Sequence, residues 1–240
     1  MIIPKKSLGQ NFLIDKNICK KISKIKNLYN QTIIEIGPGY GNLTDYIIKQ
    51  KPKKIILIEK DNELNLYLKK KYFNNKRVII YSQDALRFNY TNFSNYIVIS
   101  NLPYNISTKL ILKLFNYNNF ITTIIVMLQK EVAEKFNYKK NKMNKYKFLT
   151  NFFTDYKILF HVSPKVFFPK PKVSSSVVIF KMKKVKVRNN LNKFINEIFK
   201  NKRKKIINNF KNHNNINNNI LNKRVEELNF EELIKLYKFF

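Results

Sequence analysis

Five short apolar runs recur along the first two thirds of the chain, separated by stretches with a different rhythm. They are Ile33-Ile34-Glu35-Ile36, Ile55-Ile56-Leu57-Ile58, Val78-Ile79-Ile80-Tyr81, Tyr96-Ile97-Val98-Ile99 and Thr123-Ile124-Ile125-Val126-Met127. Each is four or five residues long and rich in β-branched side chains, the pattern of a strand covered on both faces. Between them, apolar positions recur at helical spacing: Leu43, Tyr46 and Ile47; Leu64, Tyr67 and Leu68; Ile106, Leu110 and Leu114. Strands alternating with helices predict an α/β fold with a doubly wound, Rossmann-like parallel sheet. Two later runs, 157–162 and 173–180, have no full helix between them and are joined by a stretch holding Pro164, Pro169 and Pro171. They predict an antiparallel pair at the end of the sheet. Past Met182 a charged segment leads into a helical remainder with Asn-rich breaks near 212–219. The reading is therefore an α/β domain over 1–184 and a small all-α domain over 185–240, with no internal repeat.

Charge changes the picture. The 240 residues carry 47 Lys+Arg against 15 Asp+Glu, a net charge of +32. Lys, Asn, Ile, Tyr and Phe all have A/T-rich codons, so mutational bias accounts for some of the lysine. It does not account for the shortage of acids. A field this positive favours a polyanionic partner, through steering and counterion release. Nucleic acid is preferred over anionic lipid, because no long basic amphipathic helix of the membrane-surface type is present. A single cysteine excludes a disulfide scaffold, and one cysteine with two histidines argues against a metal centre. Cys19, on the first predicted helix, reads as a packing residue, His161 as structural within a strand, and His213 as solvated in the Asn-rich break. No apolar run approaches the ~20 residues needed to span a bilayer, and the start of the chain shows no secretory signal. A soluble protein of the cytoplasm, or of an organelle interior, is expected.

Three motifs carry candidate chemistry. Glu35-Ile36-Gly37-Pro38-Gly39-Tyr40-Gly41 closes the first strand, where glycines allow a sharp turn and close approach of the backbone to a ligand. The second strand ends in Glu59, placed to accept the ribose hydroxyls of a nucleoside cofactor, and Asp84 follows the third, placed to take an adenine amino group. NAD is the competing cofactor, but its G-x-G-x-x-G fingerprint needs a glycine where Asn42 stands, and there is no second nucleotide-binding half. S-adenosylmethionine (SAM) fits the spacing better.

The second motif, Asn101-Leu102-Pro103-Tyr104, follows strand four and faces the same crevice. The lone pair of an adenine N6 is delocalised into the ring. Acceptors on its N–H groups, the Asn101 side-chain oxygen and a nearby backbone carbonyl, draw it toward tetrahedral geometry and free that pair. Pro103 stiffens the turn without adding a donor, and Tyr104 offers a stacking face for an unstacked base. The third motif, Phe167-Phe168-Pro169-Lys170-Pro171-Lys172-Val173, is a rigid loop presenting aromatics; its rings read equally well as core or as a stacking partner opposite Tyr104.

These motifs, with Leu8-Gly9-Gln10-Asn11-Phe12-Leu13, Met127–Glu134, Arg203-Lys204-Lys205 and Arg224-Val225-Glu226-Glu227-Leu228, give the chain a resemblance to the ribosomal RNA adenine dimethyltransferases of the small subunit. That family usually has Gly-Arg-Leu-Ser after a tyrosine, where this chain reads Tyr146-Lys147-Phe148-Leu149-Thr150. The resemblance implies a seven-stranded SAM-methyltransferase sheet with a small helical domain. It also implies dimethylation of N6 on two adjacent adenines near the 3′ end of small-subunit rRNA, in a pre-ribosomal particle. It puts Asn11, Leu13, Gly37, Glu59, Asp84 and Asn101 at the cofactor, Asn101, Leu102 and Tyr104 at the target amine, beside the turn that Pro103 stiffens, and Phe167 as the opposing ring. The basic cluster Lys202, Arg203, Lys204 and Lys205 is expected to open a helix and to contact the RNA backbone. A monomer without metal is expected. The alternatives are a large-subunit rRNA adenine methyltransferase of the antibiotic-resistance type and a non-catalytic assembly or transcription factor on the same fold. A DNA adenine methyltransferase fits less well, since that class usually carries Asp-Pro-Pro-Tyr.

Overall fold

The computed structural model describes residues 3–5, 8–139, 142–201, 203–208 and 218–240. His213 and Lys202, both singled out by sequence, lie outside them. The five apolar runs form parallel strands: β2 (Thr32–Ile36), β3 (Lys54–Glu59), β4 (Val78–Ser82), β5 (Tyr96–Asn101) and β6 (Ile121–Gln129). The later pair becomes β7 (Thr154–Val162) and β9 (Ser175–Met182), both antiparallel within the sheet. The seven strands lie in the order β4-β3-β2-β5-β6-β9-β7.

Alternating side chains explain why the central runs are apolar throughout. Ile33, Ile55, Leu57, Ile97 and Ile99 face one layer, with Cys19, Ile22, Leu43, Ile47 and Leu68. These come from α1 (Lys16–Ser23), α2 (Asn42–Lys49) and α3 (Asn62–Lys71). Ile34, Ile36, Ile56, Ile58 and Val98 face the other layer, with Leu110, Ile111 and Leu114 of α4 (Ser107–Phe115). Period-two orientation in a strand with helices on both faces demands this pattern.

Four elements extend the sequence reading. Two short helices follow β6: α5 (Lys130–Phe136) and α6 (Lys145–Phe153). Two-residue strands, β1 (Phe12–Leu13) and β8 (Phe167–Phe168), pair antiparallel outside the main sheet. The last strand begins at Ser175, so Val173 belongs to the loop.

The tail packs through aromatics. Phe148 of α6 stands where the resembled family has arginine. It lies within 6.5 Å, centroid to centroid, of Phe152, Phe194, Phe199 and Phe230. Phe194 lies on α7 (Leu191–Ile198), and Phe230 opens α9 (Phe230–Phe239). Asn229 caps α9 by accepting from the Glu232 N–H, while Glu232 accepts from the Asn229 N–H. Between them lies α8 (Asn218–Leu221), so Asn218 and Asn219 of the Asn-rich stretch are helical. Among the described residues no helix is long and apolar enough to cross a membrane.

The basic cluster departs from expectation. Lys205 forms an isolated bridge with Arg224, and among the described residues it is followed by a three-residue 3-10 turn, Ile206–Asn208. Arg203, Lys204 and Lys205 therefore do not open an α-helix.

Candidate active site

The strand order reverses between β2 and β5, which pair through Ile33–Ile97 and Ile34–Val98. Open α/β sheets bind ligands at such a switch point, beyond the carboxyl ends of the strands. The glycine turn follows β2 and the Asn101 segment ends β5, so the two flank the crevice. On the far side of β2, Glu59 ends β3 and Asp84 follows β4. Asp84, Glu59, Gly37 and Asn101 thus sit over four adjacent strand ends, about 14 Å across at ~4.8 Å per strand. That suits an elongated nucleoside ligand. One cavity is lined by all of these together with Asn11, Leu13, Leu102, Pro103 and Tyr104.

The glycine turn is built for close approach. Gly39 has φ +58°, and a Cβ there would lie 2.6 Å from the Phe12 ring. Gly37 has φ +62° and faces the Pro103 ring. Positive φ favours glycine at both positions.

Carboxylates distribute along the crevice by environment. Glu59 is 6 % exposed and accepts from the Asp61 N–H at 2.9 Å and the Gly39 N–H at 3.3 Å. Burial raises its pKa above the ordinary carboxylate range, and those N–H bonds limit the rise. Asp84 accepts from the Lys60 ammonium at 2.9 Å and from the Leu86 N–H at 2.8 Å; the lysine in particular holds its pKa down.

Glu35 is buried at the foot of the cavity and accepts from the Thr44 hydroxyl at 2.6 Å. Burial pushes its pKa up to about 8, against the lowering effect of Thr44. The folded carboxyl therefore keeps its proton at neutral pH, while the unfolded chain releases it near 4.5. Between those values the unfolded state binds fewer protons, so stability falls as pH rises, by at most ~1.4 kcal/mol per pH unit. Glu35→Gln is expected to flatten that fall in urea midpoints of the ligand-free protein measured from pH 5 to 8. An unchanged slope would mean that Glu35 is ionised in the folded state.

Asn101 is the centre of the arrangement. Its Nδ2 donates to the Asn11 carbonyl at 2.8 Å, while its buried Oδ1 has no hydrogen-bond partner among the described residues. A buried, unsatisfied acceptor is costly, and here it belongs to a side chain on the cavity wall. Tyr104 is partly buried, and its hydroxyl is 2.6 Å from Ser175 Oγ, which fixes the ring edge. Burial raises the Tyr104 pKa, against the lowering effect of Ser175, so the hydroxyl stays protonated. The N-terminal strap is held by Asn101 and by Asn42, whose Nδ2 donates to the Leu13 carbonyl at 2.8 Å. Asp61, with Lys5 Nζ at 3.0 Å and Gln10 Nε2 at 3.1 Å, pins its outer end.

Phe167 is placed differently from the expectation of an opposing stacking ring. It is 3 % exposed, packs in the core with Leu13, Val162 and Val177, and is not on the cavity wall. The β1–β8 pairing sets Phe167 against Leu13 and Phe168 against Phe12. The strand pleat then turns Phe167 inward and leaves Phe168 51 % exposed. The sequence reading assigned no role to Asn42, Asp61 or Ser175. Glu35 carried a signal, an acid inside an apolar strand. Cys19 is buried and its thiol pushed up to about 12, chiefly by burial, which makes it inert as a thiolate. His161 Nδ1 lies 2.9 Å from Ser176 Oγ across the β7–β9 pair. No group of potential metal ligands occurs among the described residues.

Residues 3–240 match the family described as ribosomal RNA adenine dimethylase. The chain belongs to that family. It is 39% identical over 214 residues to ribosomal RNA small subunit methyltransferase A of Pelagibacter ubique, covering 85% of this chain and 80% of that one. Among solved structures it resembles a dimethyladenosine transferase from Plasmodium falciparum, with TM-score 0.79, 23% identity and coverage of 94% and 95%. It also resembles the 23S rRNA methyltransferase ErmE, with TM-score 0.75, 18% identity and coverage of 95% and 98%. At these identities the two structures establish the shared methyltransferase fold. As a member of the rRNA adenine dimethylase family the chain is a methyltransferase enzyme, and the SAM-methyltransferase sheet expected from sequence is the one observed.

Proposed function

We propose that this dimethylase transfers methyl groups from SAM to N6 of two adjacent adenines near the 3′ end of small-subunit rRNA, within an assembling small subunit. The observation that carries the adenine chemistry is the unpartnered Asn101 Oδ1 on the cavity wall. The small-subunit assignment is supported by the 39% identity to a relative named for that activity. The likeness to a 23S enzyme is a likeness of fold.

The residues present fit SAM. Glu59 offers a buried carboxylate to ribose hydroxyls, Asp84 an acceptor to the adenine amine, and Gly37 and Gly39 a close-approach backbone. Asn11 and Leu13 form the covering strap. Bound there, SAM supplies an electrophilic sulfonium methyl. Asn101 Oδ1 accepts from the target N6–H and directs the freed lone pair toward that methyl, while the backbone around Leu102 and Pro103 supplies a second acceptor. Tyr104 stacks on the extruded base, returning ~1–3 kcal/mol against an unstacking cost of a few kcal/mol. The amine loses its proton to water after attack, so no titrating base is required. The 185–240 segment docks RNA through Arg203, Lys204 and Lys205, with Lys202 in the same run. The enzyme acts as a monomer in the cytoplasm.

The test is incubation with isotopically labelled SAM and unmethylated small subunits, mapped by primer extension and nucleoside mass spectrometry. Dimethyladenosine at two adjacent small-subunit positions is expected. Product confined to large-subunit RNA would replace this reading with the antibiotic-resistance type, and SAM binding without transfer to either would point to an assembly factor.

A further inference from the structure

Acidic residues are segregated within the first 90 positions. Glu35, Glu59 and Asp84 cluster at the carboxyl ends of their strands, while segments 16–34, 46–58 and 64–83 contain no acid. Those segments supply the loops at the opposite end, before β2, β3 and β4. The loops form one surface. The Asn30 N–H donates to the Lys51 carbonyl, the Lys53 N–H to the Gln31 carbonyl and the Ile55 N–H to the Arg77 carbonyl, all within 3.2 Å. Strands of five or six residues put this base roughly 17 Å from the crevice, at ~3.3 Å per residue.

The base is charged without compensation. Lys51, Lys53, Lys76 and Arg77 are exposed, with no ion pair among the described residues. At its rim, Lys26 Nζ donates to Thr123 Oγ1 at 2.8 Å, and Lys181 stands beside Thr123 in the neighbouring strand. Burial and then the Lys181 charge lower the Lys26 pKa. Large rings are exposed here too: Phe73 at 85 % and Tyr29 at 65 %. A shallow groove beside Phe73 is lined by Lys76 and Arg77. Codon bias would scatter lysine over the surface; it does not clear the loops before β2, β3 and β4 of acids, while at the rim Asp155 stands opposite Lys181 and pairs with Lys183.

We infer that the base of the sheet is a second RNA-docking surface. Lys51, Lys53, Lys76 and Arg77 contact the phosphates of an unpaired RNA segment, and Phe73 stacks on one of its bases. Isolated rings set among cations suit single-stranded nucleic acid, whose bases stack singly while a basic groove follows the backbone. A lipid surface would call for a continuous apolar helix face. The inference rests on the proposed function only for the identity of the RNA. It makes the substrate an RNA particle that reaches around the sheet from crevice to base.

The probe is a fluorescein-labelled twelve-nucleotide oligouridylate, which has no adenine to enter the crevice. Binding to the full chain is followed by anisotropy across salt concentrations. The triple variant Lys51→Gln, Lys53→Gln, Arg77→Gln is expected to flatten the log–log salt slope by about 2, at ~0.7 per phosphate contact. Phe73→Ala is expected to weaken binding about tenfold at unchanged slope. SAM affinity is expected to stay unchanged in both, which reports an intact crevice. The control triple Lys193→Gln, Lys235→Gln, Lys238→Gln is expected to leave the slope as in the parent. Equal flattening by the control would overturn the inference in favour of bulk charge, as would a base triple without effect. Loss of co-sedimentation with phosphatidylserine vesicles, with oligouridylate binding intact, would overturn it in favour of a lipid surface. A parent protein that binds oligouridylate through the base yet fails to methylate small subunits would sink the substrate assignment alone.

Discussion

Asn101→Ala is expected to lower the single-turnover rate of adenine methylation about 10²–10³-fold, the usual loss when a preorganised polar group at a reacting centre is removed. The cause is specific. The buried Oδ1 has no partner among the described residues, so the fold has already met its desolvation cost. An adenine N6–H is the donor that satisfies it. The parent amide also tethers Asn11, so the variant is expected to lose some SAM affinity, and saturating SAM separates the two effects. Asn101→Asp keeps acceptor oxygens but turns the donor toward Asn11 into a repelling acceptor. It should retain more activity than alanine only if acceptance, rather than the tether, dominates. A variant with a near-parental rate at saturating SAM would remove Asn101 from the chemistry.

Glu59→Gln is the second large effect, and it acts on affinity. Two charge-assisted hydrogen bonds to ribose weaken, each type contributing ~1.5–3 kcal/mol, so SAM affinity is expected to fall about 10–100-fold. The ligand-free protein is expected to lose some stability as well, because each carboxylate oxygen accepts a backbone N–H and the amide keeps only one acceptor, setting its NH2 against the other donor. Thermal shifts against SAM concentration separate these outcomes: the parent midpoint climbs with ligand and the variant needs far more of it. The raised pKa adds a pH signature. Ribose binding needs the ionised form, so affinity in the parent declines on acidification at a pH above the ordinary carboxylate range. That decline is expected to vanish in Glu59→Gln. A SAM affinity unaltered by the substitution would place the ribose elsewhere.

Much of this arrangement was visible in the chain before any coordinates. The parallel strands announced themselves because burial on both faces leaves nothing but apolar, β-branched residues, and the candidate site residues fall where those runs stop. Glu59, Asp84 and Asn101 are each within two residues of a strand end, and topology alone brings them together. What stayed hidden depends on long-range pairing. The β1 and β8 strands have two residues each, too short for any period, yet their register decides that Phe167 is core and Phe168 is surface. Asn42 and Ser175 act through partners 29 and 71 positions away, which no local pattern encodes. The tail was harder still, because its short helices owe their stability to the Phe148 cluster rather than to propensity.

The Asn101–Asn11 contact carries one more consequence. An amide side chain has two chemically opposite ends of nearly the same shape, and rotation by half a turn would present N–H groups to the crevice instead of oxygen. A backbone carbonyl accepts and never donates, so the Asn11 carbonyl tolerates only one of the two orientations. The polarity that the Asn101 amide presents to the cavity is thus dictated by main chain 90 positions earlier, on a strap that also lines that cavity. With the strap displaced, nothing would hold the amide in that sense, and its donors are expected to face the crevice as readily as its oxygen.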